Sequence, residues 1–251
     1  MWNIFKPDEE CWYQWKLCGA EAYLRKTGIE WQSSFKSLPF YKLDGTCGLF
    51  NGRAPSSEYV VASAWGVGER VSLRPYLPAP YFATTRTPVR LLAGHEARFI
   101  VDLPPLFKLE CCPDIALAEF MPYTLSKTWF GENTSEGDLY LSLVNALMPW
   151  SDGNNEHPAS LARCDITVRN MAKSAFDLSY LVIYPRLLSI YMEHGRLLTD
   201  HLELEYTGSD LKMNVKQPNG KPAMLTAGVK TDPGDELFRR SMDIIHHITR
   251  L

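Results

Sequence analysis

No run of apolar residues in this 251-residue chain is long enough to cross a bilayer as a helix, which takes about 20 in succession. The opening residues, Met1 to Glu10, hold no basic stretch followed by an apolar one, so no export signal is expected and the cytoplasm is the expected location. Cysteine is sparse. Cys11, Cys18, Cys47, Cys111, Cys112 and Cys164 are irregularly spaced, unlike a secreted disulfide framework, and no Cys-x-x-Cys pair occurs. A net charge of −3, with lysine and arginine spread over both halves, lacks the basic patch that a nucleic-acid partner requires. Phosphate-loop and nucleophile-elbow motifs are missing too: Gly66-Val67-Gly68 has neither the third glycine nor the following helix of a dinucleotide loop. No cofactor is expected.

What is present is an ordinary globular composition, 45% hydrophobic and 22% charged, in a chain long enough to bury a core without staples. The pattern is one of short strands between turns. Gln14 to Leu17, Glu21 to Leu24 and Glu30 to Phe35 are separated by Gly19 and Gly28, as in a meander. An irregular connection is expected from Pro39 to Ser57, then strands at Tyr59 to Trp65 and Glu69 to Arg74. Pro75, Pro78, Pro80 and Pro88 exclude a long helix, because each ring removes a donor and clashes with the preceding turn. Strands follow at Ala97 to Leu103, Leu106 to Cys111 and Asp138 to Val144, the last after a turn from Gly131 to Gly137.

Alternation is cleanest from Ala162 to Arg169, where Ala162, Cys164, Ile166 and Val168 share one face of a half-buried strand. Phe176 to Tyr184 returns to the sheet, Leu187 to Thr199 forms a hairpin, and Leu202, Leu204 and Tyr206 alternate with His201, Glu203 and Glu205. Asn219-Gly220 marks a further hairpin. From Asp232 to Leu251 the pattern is helical, with Pro233 suited to the first turn and Leu237, Phe238, Ile244, Ile245, Ile248 and Leu251 as an apolar stripe. The expected fold is therefore all-β: two packed Ig-like β-sandwich domains, residues 1–150 and 151–251, with a short C-terminal helix.

Candidate chemistry is thin. Leu125 to Gly131 is a landmark, since Trp129 and Phe130 point to opposite faces of a strand. Either ring can fill a core, or Trp129 with Lys127 and Arg74 can present an aromatic and cationic platform to a ligand. His201, Glu203 and Glu205 share a strand face, as ligands of a divalent cation could or as a solvated face does. His95-Glu96-Ala97-Arg98-Phe99 begins like a zinc-protease helix, but Phe99 stands in the second histidine's place. His246 and His247 are about 100° apart on a helix, poorly placed to share an ion.

Val71 to Pro78, Pro88 to Pro104, Leu125 to Gly131 and Cys164 to Asn170, in that order, resemble a prokaryotic family catalogued as domain of unknown function 432, from about Val71 to the end. This chain has Tyr140 and Leu141 where a Cys-Tyr pair is expected, and Asp165 where a proline is usual. The resemblance implies a soluble β protein and lends no activity. The expected function is that of a non-enzymatic protein acting through contacts with an unknown protein partner or by self-association. The alternatives are a small-molecule or glycan-binding module at Trp129, Lys127 and Arg74, and metal-assisted hydrolysis around His201 and Glu203.

Overall fold

The computed structural model describes residues 4–17, 20–37, 48–51, 54–55, 60–63, 69–111, 115–120, 126–133, 136–150, 161–185, 188–193, 196–208, 212–216 and 244–245. In chain order the strands are β1 (Trp12–Leu17), β2 (Ala20–Thr27), β3 (Glu30–Ser37), β4 (Gly48–Asn51), β5 (Val60–Ser63), β6 (Val71–Tyr76) and β7 (Tyr81–Leu91). They continue with β8 (Glu96–Leu103), β9 (Leu106–Cys111), β10 (Ile115–Phe120), β11 (Lys127–Asn133), β12 (Glu136–Leu143), β13 (Met148–Pro149) and β14 (Ala162–Asn170). The last are β15 (Phe176–Ile183), β16 (Ile190–Glu193), β17 (Arg196–Thr199), β18 (Leu202–Tyr206), β19 (Lys212–Lys216) and β20 (Ile244–Ile245).

Among the described residues these strands form four sheets, so the chain is almost wholly β, as its strand-and-turn pattern predicts. The first sheet, in the order β4-β1-β2-β3-β5, is antiparallel and uses only residues before Val71. Its tight turn at Gly28 takes a φ of +58°, where a side chain would strain the backbone. One face carries Tyr13, Trp15, Ala22, Leu24 and Trp31, all buried. The second sheet, β10-β9-β6, docks on it through Phe35 and Phe120, whose rings stack 5.0 Å apart. Phe5 bridges to Val71 and packs on Tyr13 and Trp15. Pro75 lies within β6, which is tolerable because β6 is the edge strand and needs no outward donor there.

The other two sheets interleave the chain. One has the order β11-β12-β7-β15; in the other, β8 pairs with β14, which runs parallel to both β17 and β18. The β7–β15 and β8–β14 pairings join strands on either side of residues 150 and 151. Ala162, Cys164, Ile166 and Val168 are all fully buried, on the face their alternation assigns them. Tyr180 to Ile183 are buried in succession, which requires cover on both faces of β15. Phe176 on β15 meets Tyr206 on β18 at 4.3 Å between ring centres, and Tyr81 donates from its hydroxyl to the Pro104 carbonyl at 2.7 Å.

Two expectations are corrected. Of the segment with the helical pattern, the structure describes Ile244 and Ile245, and they form β20 against Lys212 and Met213. Two adjacent β-branched residues favour extended backbone, and a neighbouring edge strand satisfies their peptide groups. The turn expected from Gly131 to Gly137 is shorter: Gly131 and Gly137 face each other in the β11–β12 ladder, which shifts register before Asn133. The connection from Pro39 to Ser57 contains β4, and the hairpin expected at Asn219-Gly220 lies outside the described residues.

Candidate functional site

The least regular place in the sheets is the middle of β7, where the sequence reads Thr84-Thr85-Arg86-Thr87-Pro88-Val89. Proline cannot donate to a ladder, so an interior strand must break or bulge around it. Thr84 pairs with Tyr180 and Val89 with Leu178, which leaves Thr85 to Pro88 opposite the single residue Ser179. On the other flank, β12 pairs only with Tyr81 to Ala83. Among the described residues, Arg86 and Thr87 therefore have no residue opposite them in the register of either neighbouring strand. The near end of the bulge is fastened by the Thr85 hydroxyl, which donates to the Ser179 carbonyl at 3.1 Å.

Facing the bulge is the turn between β12 and β13. Asn145 adopts a φ of 57°, a left-handed conformation that asparagine tolerates better than most side chains. Thr84 pins this turn: its hydroxyl accepts the Asn145 N–H at 2.9 Å and its carbonyl accepts the Leu147 N–H at 3.0 Å. Between bulge and turn lies a cleft of about 490 Å³. Its lining mixes polar residues, Thr85, Arg86, Thr87 and Asn145, with apolar ones, Val89, Leu147, Met148 and Pro149. Leu147 is buried beneath it, whereas Arg86 is exposed and, among the described residues, has no carboxylate partner. From this turn through β13, Val144, Met148 and Trp150 are 71%, 44% and 45% exposed. Trp150 is held by its backbone N–H, which donates to the Arg98 carbonyl at 2.8 Å.

The residues singled out from the sequence lie elsewhere. Lys127 and Trp129 sit two apart on β11, opposite Leu141 and Leu139. Lys127 is exposed, as is Leu139; the side chain of Trp129 lies outside the described residues. Arg74 is on β6, in a different sheet, with its Nε 3.7 Å from Glu110, and the same carboxylate holds Lys108 at 2.9 Å. The three are not gathered on one sheet. His201 has a ring nitrogen 3.1 Å from the Thr167 hydroxyl, Glu203 lies 3.5 Å from Arg169, and Glu205 lies 2.6 Å from Lys216. Glu203 and Glu205 thus face different cations, and Arg169 is also bound by Glu96 at 2.8 Å. The Glu96 hydrogen bond, then the charge of Glu203, push the Arg169 pKa above its ordinary value. Among the described residues no three histidine, cysteine or acidic side chains are placed to hold a metal ion. His95 is in the turn before β8, its Nδ1 3.0 Å from the Ala93 carbonyl.

Sequence reading passed over the cleft. Its signals were present, a threonine-rich strand interrupted by proline and an asparagine ending another strand, but only the register brings them together.

A chain of several packed β-sheets, with a cleft where one interior strand bulges, is an all-β protein whose distinctive surface belongs to the join between two sheets. The family is shown by its sequence model: the chain belongs to the family described as protein of unknown function (DUF432), which matches residues 1–244. The match includes the first sheet, which the resemblance read from Val71 onward leaves out. No curated protein and no solved structure matches the chain. Among the described residues no helix is long and apolar enough to cross a membrane.

Proposed function

We propose that this protein acts by binding, without catalysis, and that a protein partner docks on the surface formed by the β12–β13 turn and the β7 bulge. The supporting observation is the exposure of Val144, Met148 and Trp150, three large apolar side chains within one short segment beside the exposed Arg86. Methionine, tryptophan and arginine are enriched where proteins meet, and apolar surface left contiguous is commonly covered in use. Hydrogen bonds from the segment's own amides to Thr84 and to the Arg98 carbonyl hold it, so a partner would meet a formed surface at little ordering cost.

The test is a photo-crosslinking amino acid placed at Val144, at Met148 and, as a remote control, at Met171, whose exposure lies between theirs, in the full chain expressed in its own cell type. A discrete crosslinked species at positions 144 and 148 but not at 171 supports the reading. Light scattering and mass spectrometry then show whether the partner is a second copy. Equal crosslinking at all three positions, or none at 144 and 148, overturns it.

A further inference from the structure

We propose that the cleft between the β7 bulge and the β12–β13 turn is a carboxylate site, taking an acid group carried on a small apolar body. This deepens the binding reading above and rests on it. The cleft has two chemically different kinds of lining residue. One is polar: Arg86, whose guanidinium has no acidic partner among the described residues, with Thr87 and Asn145. The other is apolar: Val89, Leu147, Met148 and Pro149.

A guanidinium presents paired N–H groups at the spacing of a carboxylate's two oxygens. The bulge adds to this. Arg86 and Thr87 have no residue opposite them in the register of β15 or β12, and a backbone bulged out of its ladder is suited to turning amides toward an oxyanion. One cation matches one negative charge. A phosphate dianion would leave charge unmatched beside four apolar side chains, whereas a monocarboxylate with a hydrocarbon body suits both kinds of lining residue. The volume of about 490 Å³ suits such a ligand, since small-molecule sites span roughly 300–1,000 Å³. The same chemistry has two sources: a free aromatic or aliphatic acid, or the terminal carboxylate of a partner chain that ends in an apolar residue.

The experiment titrates the full, 15N-labelled chain and follows the amides of Arg86, Thr87 and Asn145. The probes are sodium benzoate, sodium hexanoate, benzyl alcohol, inorganic phosphate, and one leucine-terminated hexapeptide in its free-acid and amidated forms. Saturable shifts at those amides with benzoate or hexanoate assign a free acid; shifts confined to the free-acid peptide assign a partner's terminus. In either case benzyl alcohol and the amidated peptide are expected to bind at least tenfold more weakly. Arg86→Gln should lower the affinity on the order of tenfold or more, and Arg86→Lys should restore part of it, with unchanged urea midpoints showing that both variants fold.

The inference is overturned if no carboxylate shifts these amides, if benzyl alcohol or phosphate binds as well, or if Arg86→Gln binds as tightly. Crosslinking at Val144 and Met148 that persists in Arg86→Gln, with no carboxylate binding in the parent, would leave the docking surface standing and remove the carboxylate site alone.

Discussion

Thr84 holds Asn145 just past the point where the pairing of β7 with β12 ends, its hydroxyl oxygen accepting the Asn145 N–H at 2.9 Å. The contact fixes one lip of the cleft to the last paired residue before the β7 bulge. Thr84→Val keeps the shape and removes the acceptor. It should cost about 1 kcal/mol in a urea melt and raise hydrogen exchange at the Asn145 amide, whereas Thr84→Ser should do neither. Equal protection of that amide in the valine variant would show that the turn holds itself.

Asn145 itself tests the backbone. Its φ of 57° lies in the left-handed region, where an ordinary side chain costs roughly 1–2 kcal/mol and a β-branched one more. Asn145→Gly should be neutral to within a few tenths, Asn145→Ala should lose about 1 kcal/mol, and Asn145→Val should lose the most. The ordering of the three urea midpoints is the measurement, and a valine variant as stable as the parent would contradict it.

The Thr84–Asn145 contact and the bulge beside it depend on relations that no single stretch of sequence contains. Alternation from Ala162 to Val168 is local, and it predicted the buried face of β14 correctly because that face meets the core while the other, where Asp165 is exposed, is only partly covered. Proline punctuation excluded a long helix between Pro75 and Pro88 for an equally local reason. Which strand lies beside β7 is not local. The bulge exists because Thr84 pairs with Tyr180 and Val89 with Leu178, residues that are far away in the chain. The parallel pairings of β14 with β17 and β18 were equally hidden. The C-terminal stripe misled in the opposite way: apolar spacing favoured a helix, while the strand-forming preference of Ile244-Ile245 and the available edge of β19 decided the backbone there.

Asn170 connects two turns at the end of the sheets, and it is fully buried. Its Nδ2 donates to the carbonyls of Leu91 at 3.1 Å and Ser174 at 2.8 Å, while its Oδ1 accepts the Ala172 N–H at 3.0 Å. Asn170→Ala leaves three buried or part-buried groups without this partner and should cost about 3 kcal/mol. Asn170→Asp should cost at least as much at neutral pH, because a carboxylate would then face two carbonyl oxygens. A urea melt of both variants decides it; a loss near zero would mean that water replaces the amide.

Asp200 is buried with its two oxygens engaged separately, one by the Ser189 N–H and the other by the Tyr191 hydroxyl, each at 2.6 Å. Burial, and next the hydrogen bond to Asp200, push the Tyr191 pKa up to about 12, against about 10 for an unfolded tyrosine. The unfolded chain therefore releases this proton first, and above pH 10 it binds fewer protons than the folded chain. Stability from this group is fully present below about pH 10 and is lost progressively towards pH 12. Tyr23, raised to about 12 by burial and then by its hydrogen bond to Glu21, acts in the same direction. Tyr191→Phe should lower stability at pH 7 by about 2 kcal/mol, as expected for losing a hydrogen bond to a charged group. It should also make the decline between pH 10 and 12 shallower than in the parent, as read from urea midpoints at half-unit pH steps. Superimposable slopes for the two proteins would show that Tyr191 ionises alike in both states, and the bond to Asp200 would then have no part in alkaline unfolding.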